Sequence, residues 1–142
     1  MSKMEKLLKI PYTVFNDNWN LLQQFLERRG NPKYGIVGDV NLYLRKDIFD
    51  LGNLVRVYGY LDLEDSPIKS LGPLEYVGGH LILRATPIES LGNLVLVEYD
   101  LDLRSTPIQS LGNLKYVGGT IYLSRDHQIP EKQLTKFKIE YV

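Results

Sequence analysis

The chain has 142 residues, 44% of them hydrophobic, with 17 basic side chains against 17 acidic ones. That length and composition fit one globular domain and exclude a disordered chain. The balanced charge removes the electrostatic footprint of a dedicated nucleic-acid or anionic-membrane binder. Without cysteine there is neither a disulfide framework nor a thiolate metal site. No apolar run approaches the roughly 18 residues of a membrane span. The opening MSKMEKLLKIPYTVF is too short in its apolar stretch, and too interrupted by Lys9 and Pro11, for a signal peptide, so a cytoplasmic location is expected.

Taken in chain order, residues 1–33 read as an N-terminal cap. Asn16-Asp17 can start a helix that runs to about Arg29, with Trp19, Leu22, Phe25 and Leu26 on one face and Gly30 as its stop. Residues 34–125 read as a repeat array. YGIVGDVNLYLRKDIFD (34–50) is a degenerate first copy: Val40 and Leu42 match Leu61 and Leu63, Ile48 matches Ile68, and one residue is inserted between them. Four 20-residue copies follow: LGNLVRVYGYLDLEDSPIKS (51–70), LGPLEYVGGHLILRATPIES (71–90), LGNLVLVEYDLDLRSTPIQS (91–110) and LGNLKYVGGTIYLSRDHQIP (111–130). A register that survives so many copies is the mark of a solenoid, in which each repeat buries its apolar side only against its neighbours.

Within a copy, Val57, Gly59, Leu61 and Leu63 alternate with period two, which predicts a strand with one buried face. The same positions recur as Val77, Gly79, Leu81, Leu83, then Val97, Tyr99, Leu101, Leu103, then Val117, Gly119, Ile121, Leu123. Five strands are expected, near 38–43, 57–64, 77–84, 97–104 and 117–124, in one parallel sheet. A Ser/Thr-Pro-Ile corner (Ser66-Pro67-Ile68 and its equivalents) ends each ladder, because proline removes a donor and fixes φ. The Leu-Gly pair that opens each copy suggests a turn needing permissive backbone angles. Residues 126–142 read as a C-terminal cap, with a short helix in PEKQLTKFK (130–138) and an edge strand from Ile139 to Val142. A 40-residue superperiod is superimposed: copies one and three share LGNLV and an outward Asp, copies two and four share Y-V-G-G and an outward apolar residue. Pairwise duplication accounts for it; a ligand with two-rung spacing is the functional alternative.

The core L-x-L-x-x-[ST]-x-I, with L-x-x-L upstream, resembles the leucine-rich repeat at its shortest period, over roughly residues 34–125. The phrase SLGNLxxVGGxLxL is similar to short leucine-rich-repeat proteins, including bacteriophage-encoded ones. The resemblance implies a repeat solenoid, mainly β, wound as a right-handed coil of about five repeats, with a binding role and no reaction. Two departures stand out. The usual Asn/Cys position is Ser66, Thr86 or Thr106, which replaces an amide ladder by hydroxyls, and the strand begins V-x-G-x-L.

If Leu61 and Leu63 point inward, three rows of side chains face out and stack about 4.8 Å apart. They are Asp39, Tyr60, His80, Asp100, Thr120; then Asn41, Asp62, Ile82, Asp102, Tyr122; then Tyr43, Glu64, Arg84, Arg104, Ser124. Tyr60, Ile82 and Tyr122 supply apolar or amphipathic anchors, and Arg84 and Arg104 belong to the charged type most enriched in binding hot spots. The panel expected to bind a protein partner is therefore Tyr60, Asp62, His80, Ile82, Arg84, Asp100, Asp102, Arg104 and Tyr122. The same residue types also suit a merely solvated sheet, with cross-strand pairs such as Glu64–Arg84. A glycan on the same face, stacked on tyrosine, is the alternative ligand; self-association through the sheet or the C-terminal edge is the structural alternative.

Catalysis is not expected. Asp100 and Asp102 would stand about 7 Å apart, and Asp62 and Asp102 about 9.6 Å. Those separations are near the inverting-glycosidase range, but an open sheet gives no burial to divide an acid from a base. His80 and His127 have no metal-ligand spacing, and Val77-Gly78-Gly79 lies within a strand and opens no phosphate-binding helix. No cofactor or metal is expected.

Overall fold

In the computed structural model, which describes residues 7–142, each 20-residue copy lays down two short strands. The strands are β1 (Leu8–Pro11), β2 (Tyr34–Val37), β3 (Val40–Asn41), β4 (Leu54–Val57), β5 (Leu61–Asp62), β6 (Tyr76–Val77), β7 (Leu81–Ile82), β8 (Leu96–Val97), β9 (Leu101–Asp102), β10 (Tyr116–Val117), β11 (Ile121–Leu123) and β12 (Ile139–Tyr141). They assemble into two six-stranded sheets, sheet A in the order β1-β2-β4-β6-β8-β10 and sheet B in the order β12-β11-β9-β7-β5-β3. Every pairing is parallel. The protein is a mainly β solenoid of about five turns. The single sheet expected from the alternation is two, because the chain bends between Val57 and Leu61 and at the equivalent point of each later coil.

The bend explains which residues are misassigned by a strict period of two. Val57, Leu61 and Leu63 are fully buried, but the position between the first two is the corner, and Tyr99 there is 57% exposed. Coils approach one another closely at this corner. A Cβ added at Gly79 would lie 2.7 Å from the Tyr60 amide nitrogen and 2.9 Å from the Gly59 carbonyl carbon of the preceding coil. The other demanding turn is the Leu-Gly pair that opens each copy. Gly52, Gly72, Gly92 and Gly112 all have φ between +53° and +62°, a conformation that glycine adopts without the Cβ penalty. The Gly72, Gly92 and Gly112 amides donate to Ser70, Ser90 and Ser110 Oγ, and the Gly52 amide to Asp50 Oδ1.

The interior is a set of columns running along the coil axis: Leu54, Leu74, Leu94, Leu114; Leu61, Leu81, Leu101, Ile121; Leu63, Leu83, Leu103, Leu123; and Ile68, Ile88, Ile108, Ile129. Burying apolar area of this kind stabilises by about 25 cal/mol per Å². The hydroxyls after each sheet-B strand point inward. Thr86 and Thr106 Oγ1 donate to the Leu83 and Leu103 carbonyls of their own coil at 2.7 Å, so they close the corner locally and form no ladder between coils. Ser66 Oγ, at the same position, is buried without a partner among the described residues.

The first coil carries the irregularities. Val40 and Leu61 pair as expected, and a bulge between Tyr34 and Gly35 accommodates Val55 on β4. The cap differs in detail from the expected one; its residues 1–6 lie outside the described residues. Strand β1, which the alternation does not announce, adds to sheet A and leads into a 3₁₀ turn, Tyr12–Phe15. Asn16 and Asp17 have φ of 54° and 53°, so the helix cap moves to Asn18, whose side chain accepts from the Leu21 amide. Helix α1 spans Trp19–Glu27 and buries Trp19, Leu22 and Leu26; Phe25 is half-buried, edge-on to Phe15 at 5.0 Å. Gln23 Nε2 donates to Tyr34 Oη, which donates in turn to the Leu51 carbonyl. At the far end the expected helix in 130–138 is a 3₁₀ turn, Glu131–Gln133, and the expected edge strand is β12. No helix among the described residues is long and apolar enough to cross a membrane.

Two outcomes follow. Gly79→Ala forces the coils apart and is expected to cost about 2–3 kcal/mol, read as a lowered urea midpoint with unchanged slope. Burial pushes the Tyr12 phenol up to about 12 and moves Tyr34 in the same direction. Unfolded phenols ionise near pH 10, so above that pH the unfolded chain holds fewer protons than the folded one and stability falls as pH rises. Urea titrations at pH 8, 10 and 11 should show that loss. Tyr34→Phe should lessen it, leaving the share due to Tyr12, while costing about 1 kcal/mol at neutral pH for the lost hydrogen bond.

Candidate partner-binding face

The three outward rows sit on and beside sheet B, and the register places them as expected: Asn41, Asp62, Ile82, Asp102 and Tyr122 are neighbours across β3, β5, β7, β9 and β11, with Glu140 of β12 as a sixth rung. Six strands at about 4.8 Å give a face about 24 Å across. Most of the acids on it are already engaged with backbone.

In the corner row Asp39, His80 and Asp100 each reach to the next coil. Asp39 Oδ1 accepts from the Tyr60 amide and Asp100 Oδ1 from the Thr120 amide, both at 2.9 Å. His80 Nδ1 accepts from the Asp100 amide at 3.2 Å, which requires the tautomer protonated on Nε2; its ring lies 5.5 Å from that of Tyr99. In the middle row the oxygens of Asn41, Asp62 and Asp102 accept from the amides two residues on, those of Tyr43, Glu64 and Arg104. These are Asx turns, and they close the end of each strand just before the backbone enters positive φ at Leu44, Asp65 and Ser105. The acids thus serve the turns first.

Asp102 does more. It is 9% exposed, and its two oxygens take Arg104 Nε at 2.9 Å and a terminal guanidinium nitrogen at 2.7 Å. This bidentate bond raises the guanidinium pKa still further and fixes its plane, with the carbon 5.7 Å from the centre of the Tyr122 ring. The expected Glu64–Arg84 pair is not formed; Arg84 extends into solvent.

The result is a shallow depression of about 170 Å³ bounded by His80, Ile82, Asp100, Asp102, Arg104 and Tyr122. It brings together six of the nine residues expected in the panel. Tyr60, Asp62 and Arg84 share the face but stand outside the depression. Among the described residues no group of three His, Asp or Glu side chains is placed to hold a metal ion.

The outer face of sheet A was not anticipated. A groove of about 730 Å³ crosses it, with Lys9, Arg56, Tyr58 and Glu75 at one end and Val95 and Asn113 towards the other. Lys9 Nζ lies 5.0 Å above the Tyr58 ring, Tyr58 meets Tyr76 at 5.8 Å, and Arg56 pairs with Glu75 at 3.5 Å. The signal for it was the superperiod. Tyr76 and Tyr116 fold their hydroxyls over Gly78 and Gly118, at 3.2 and 3.4 Å from where a Cβ would stand. In the odd copies the bulk sits instead at Tyr58 and Glu98. The 40-residue rhythm is therefore a packing alternation on sheet A.

No protein-family model, no curated protein and no solved structure matches this chain. The assignment as a solenoid rests on its repeat and on its own geometry.

Replacing Asp102 by Ala removes three hydrogen bonds to a mostly buried carboxylate. The expected cost is about 1.5–3 kcal/mol, measured by urea denaturation, whereas Arg84→Ala should stay within about 0.5 kcal/mol.

Proposed function

We propose that this protein is a non-catalytic binding module that grips a protein partner through the outer face of sheet B. The observation that carries the reading is the depression in that face. Ile82 and Tyr122 wall it with apolar surface, and between them Asp102 holds the Arg104 guanidinium at a fixed angle. An oriented arginine beside an aromatic ring and a branched aliphatic side chain is the composition of an interface hot spot. Because Arg104 is held before a partner arrives, less side-chain entropy is lost on binding.

The likeness to short leucine-rich-repeat proteins, bacteriophage-encoded ones among them, supports the same reading, since it implies a binding role and no reaction. The acids that would have to act as acid and base are instead engaged by backbone amides at Tyr60, Glu64, Arg104 and Thr120.

The test is affinity capture from a lysate of the organism that encodes the chain, comparing wild type, Ile82→Ala/Tyr122→Ala and Tyr60→Ala. A protein held by wild type and by Tyr60→Ala, but released by the double variant, is expected. Truncating two anchors should weaken binding by roughly 30-fold or more, with the circular dichroism melting curve kept within a few degrees. Capture that is identical for all three proteins, or empty for all three, would overturn the reading and leave a glycan or a self-assembly role on that face.

A further inference from the structure

The two sheets end differently at the C-terminal side of the solenoid. Sheet B is continued past β11 by β12, but sheet A stops at β10. The cause is a length. In the complete coils the first residue of the next sheet-B strand stands 13 positions after the buried corner isoleucine, as from Ile88 to Leu101 and from Ile108 to Ile121. From Ile129 to Ile139 the step is only 10. The last turn must therefore take a chord, through the 3₁₀ turn at Glu131–Gln133 and buried Leu134, and it lays no strand against β10.

What the chord leaves unpaired is the edge of β10. Tyr116 and Gly118 direct their amides to the carbonyls of Val95, just before β8, and of Val97 within it. In a parallel ladder the intervening residue faces the other way, so the amide and carbonyl of Val117 point out of the edge. Val57, Val77 and Val97 are fully buried, whereas Val117, last in that column, is half-buried. A cleft of about 330 Å³ opens beside the segment that leads into β10, between Leu111, Gly112 and Leu114 on one side and Lys132, Lys136 and Phe137 on the other. Gln133 Oε1 accepts from the Leu111 amide at 3.0 Å and holds its two walls together. Among the described residues the two lysines are the only charged side chains lining it.

We propose that the β10 edge is a strand-acceptor site for an extended, acidic peptide segment of a partner protein, added parallel to β10 with a carboxylate near Lys132 and Lys136. The open amide and carbonyl supply main-chain affinity, and the pair of lysines selects charge. A second copy stacked head to tail is not the occupant. The residue aligned with Gly118 on the opposite end of sheet A is Pro11, which has no N–H to give the Val117 carbonyl.

The probe is a fluorescein-labelled, end-capped hexapeptide of alternating glutamate and valine, titrated by fluorescence anisotropy. Saturable binding is expected, at least tenfold weaker for the lysine–valine analogue and at least tenfold weaker to Lys132→Glu/Lys136→Glu. Methylating one alternate set of peptide amides should abolish binding, and methylating the other set should leave it nearly unchanged, since only one set faces β10. Amide chemical-shift changes should centre on residues 115–119 and 132–137. Absence of binding at millimolar peptide, equal sensitivity to both methylation patterns, or shifts confined to the sheet-B depression would each overturn the proposal. So would a dimer in sedimentation equilibrium that Lys132→Glu/Lys136→Glu dissolves. None of these readouts depends on the partner of sheet B.

Discussion

Every coil is hydrogen-bonded to the next through two sheets at once, and two backbones can do this only if they trace the same path. That requirement governs almost every residue choice in the array. Positive φ recurs at Gly52, Gly72, Gly92 and Gly112 on one corner, and at Asp65, Ala85 and Ser105 on another. Leucine, valine and isoleucine recur at fixed depths because an interior only one coil wide has no other side chains to fill it. A change in length within any coil must be absorbed where it arises. The first coil does this with a bulge at β2 and β4 and an extra residue in the turn after Leu42.

Polar side chains follow the same rule. Asp39, His80 and Asp100 each carry a hydrogen bond across a corner where the strands have parted and the main-chain ladder is broken. Asn41, Asp62 and Asp102 close the turn at the end of the sheet-B strand. The surface that remains for a partner is what these duties leave over: Ile82, Tyr122, and an arginine whose counter-ion is already in place. Recognition and architecture thus draw on the same residues, and at Asp102 they cannot be separated.

Much of this was legible in the sequence. The repeat fixed the coil length, and the columns headed by Leu61, Leu63 and Ile68 could be named from spacing alone, as could the buried helix face at Trp19, Leu22 and Leu26. The strand count was not legible. A bend at Gly59 and Tyr99 conserves the parity of Val57 and Leu61, so a continuous strand and two strands at an angle give the same alternation. Strand β1 was hidden because Leu8, Lys9 and Ile10 carry no repeat signature and pair only by virtue of where the cap returns the chain. The middle row falls in register across sheet B, but Asp102 in it and Thr120 in the corner row, both expected outward, are buried, and the sequence offers no means of telling a free aspartate from one that accepts an amide two residues on. Sheet A's outer face was missed for a simpler reason: its tyrosines sit at 58 in one copy and at 76 and 116 in others, and only the bend makes these positions neighbours.

That alternation of tyrosine and glycine has a consequence for how such a chain can change its length. A Cβ at Gly118 would overlap the Glu98 carbonyl, whereas one at Gly78 would only press on that of Tyr58, at 3.2 Å; the odd copies carry a full side chain at the same level. A side chain at 118 would therefore force the fourth copy off the third, although Tyr58 stacked on Val37 shows that the first two coils carry side chains at this level in succession. A copy set upon Glu98 must bring glycine at that level, so a chain that lengthens cannot place any copy upon any other.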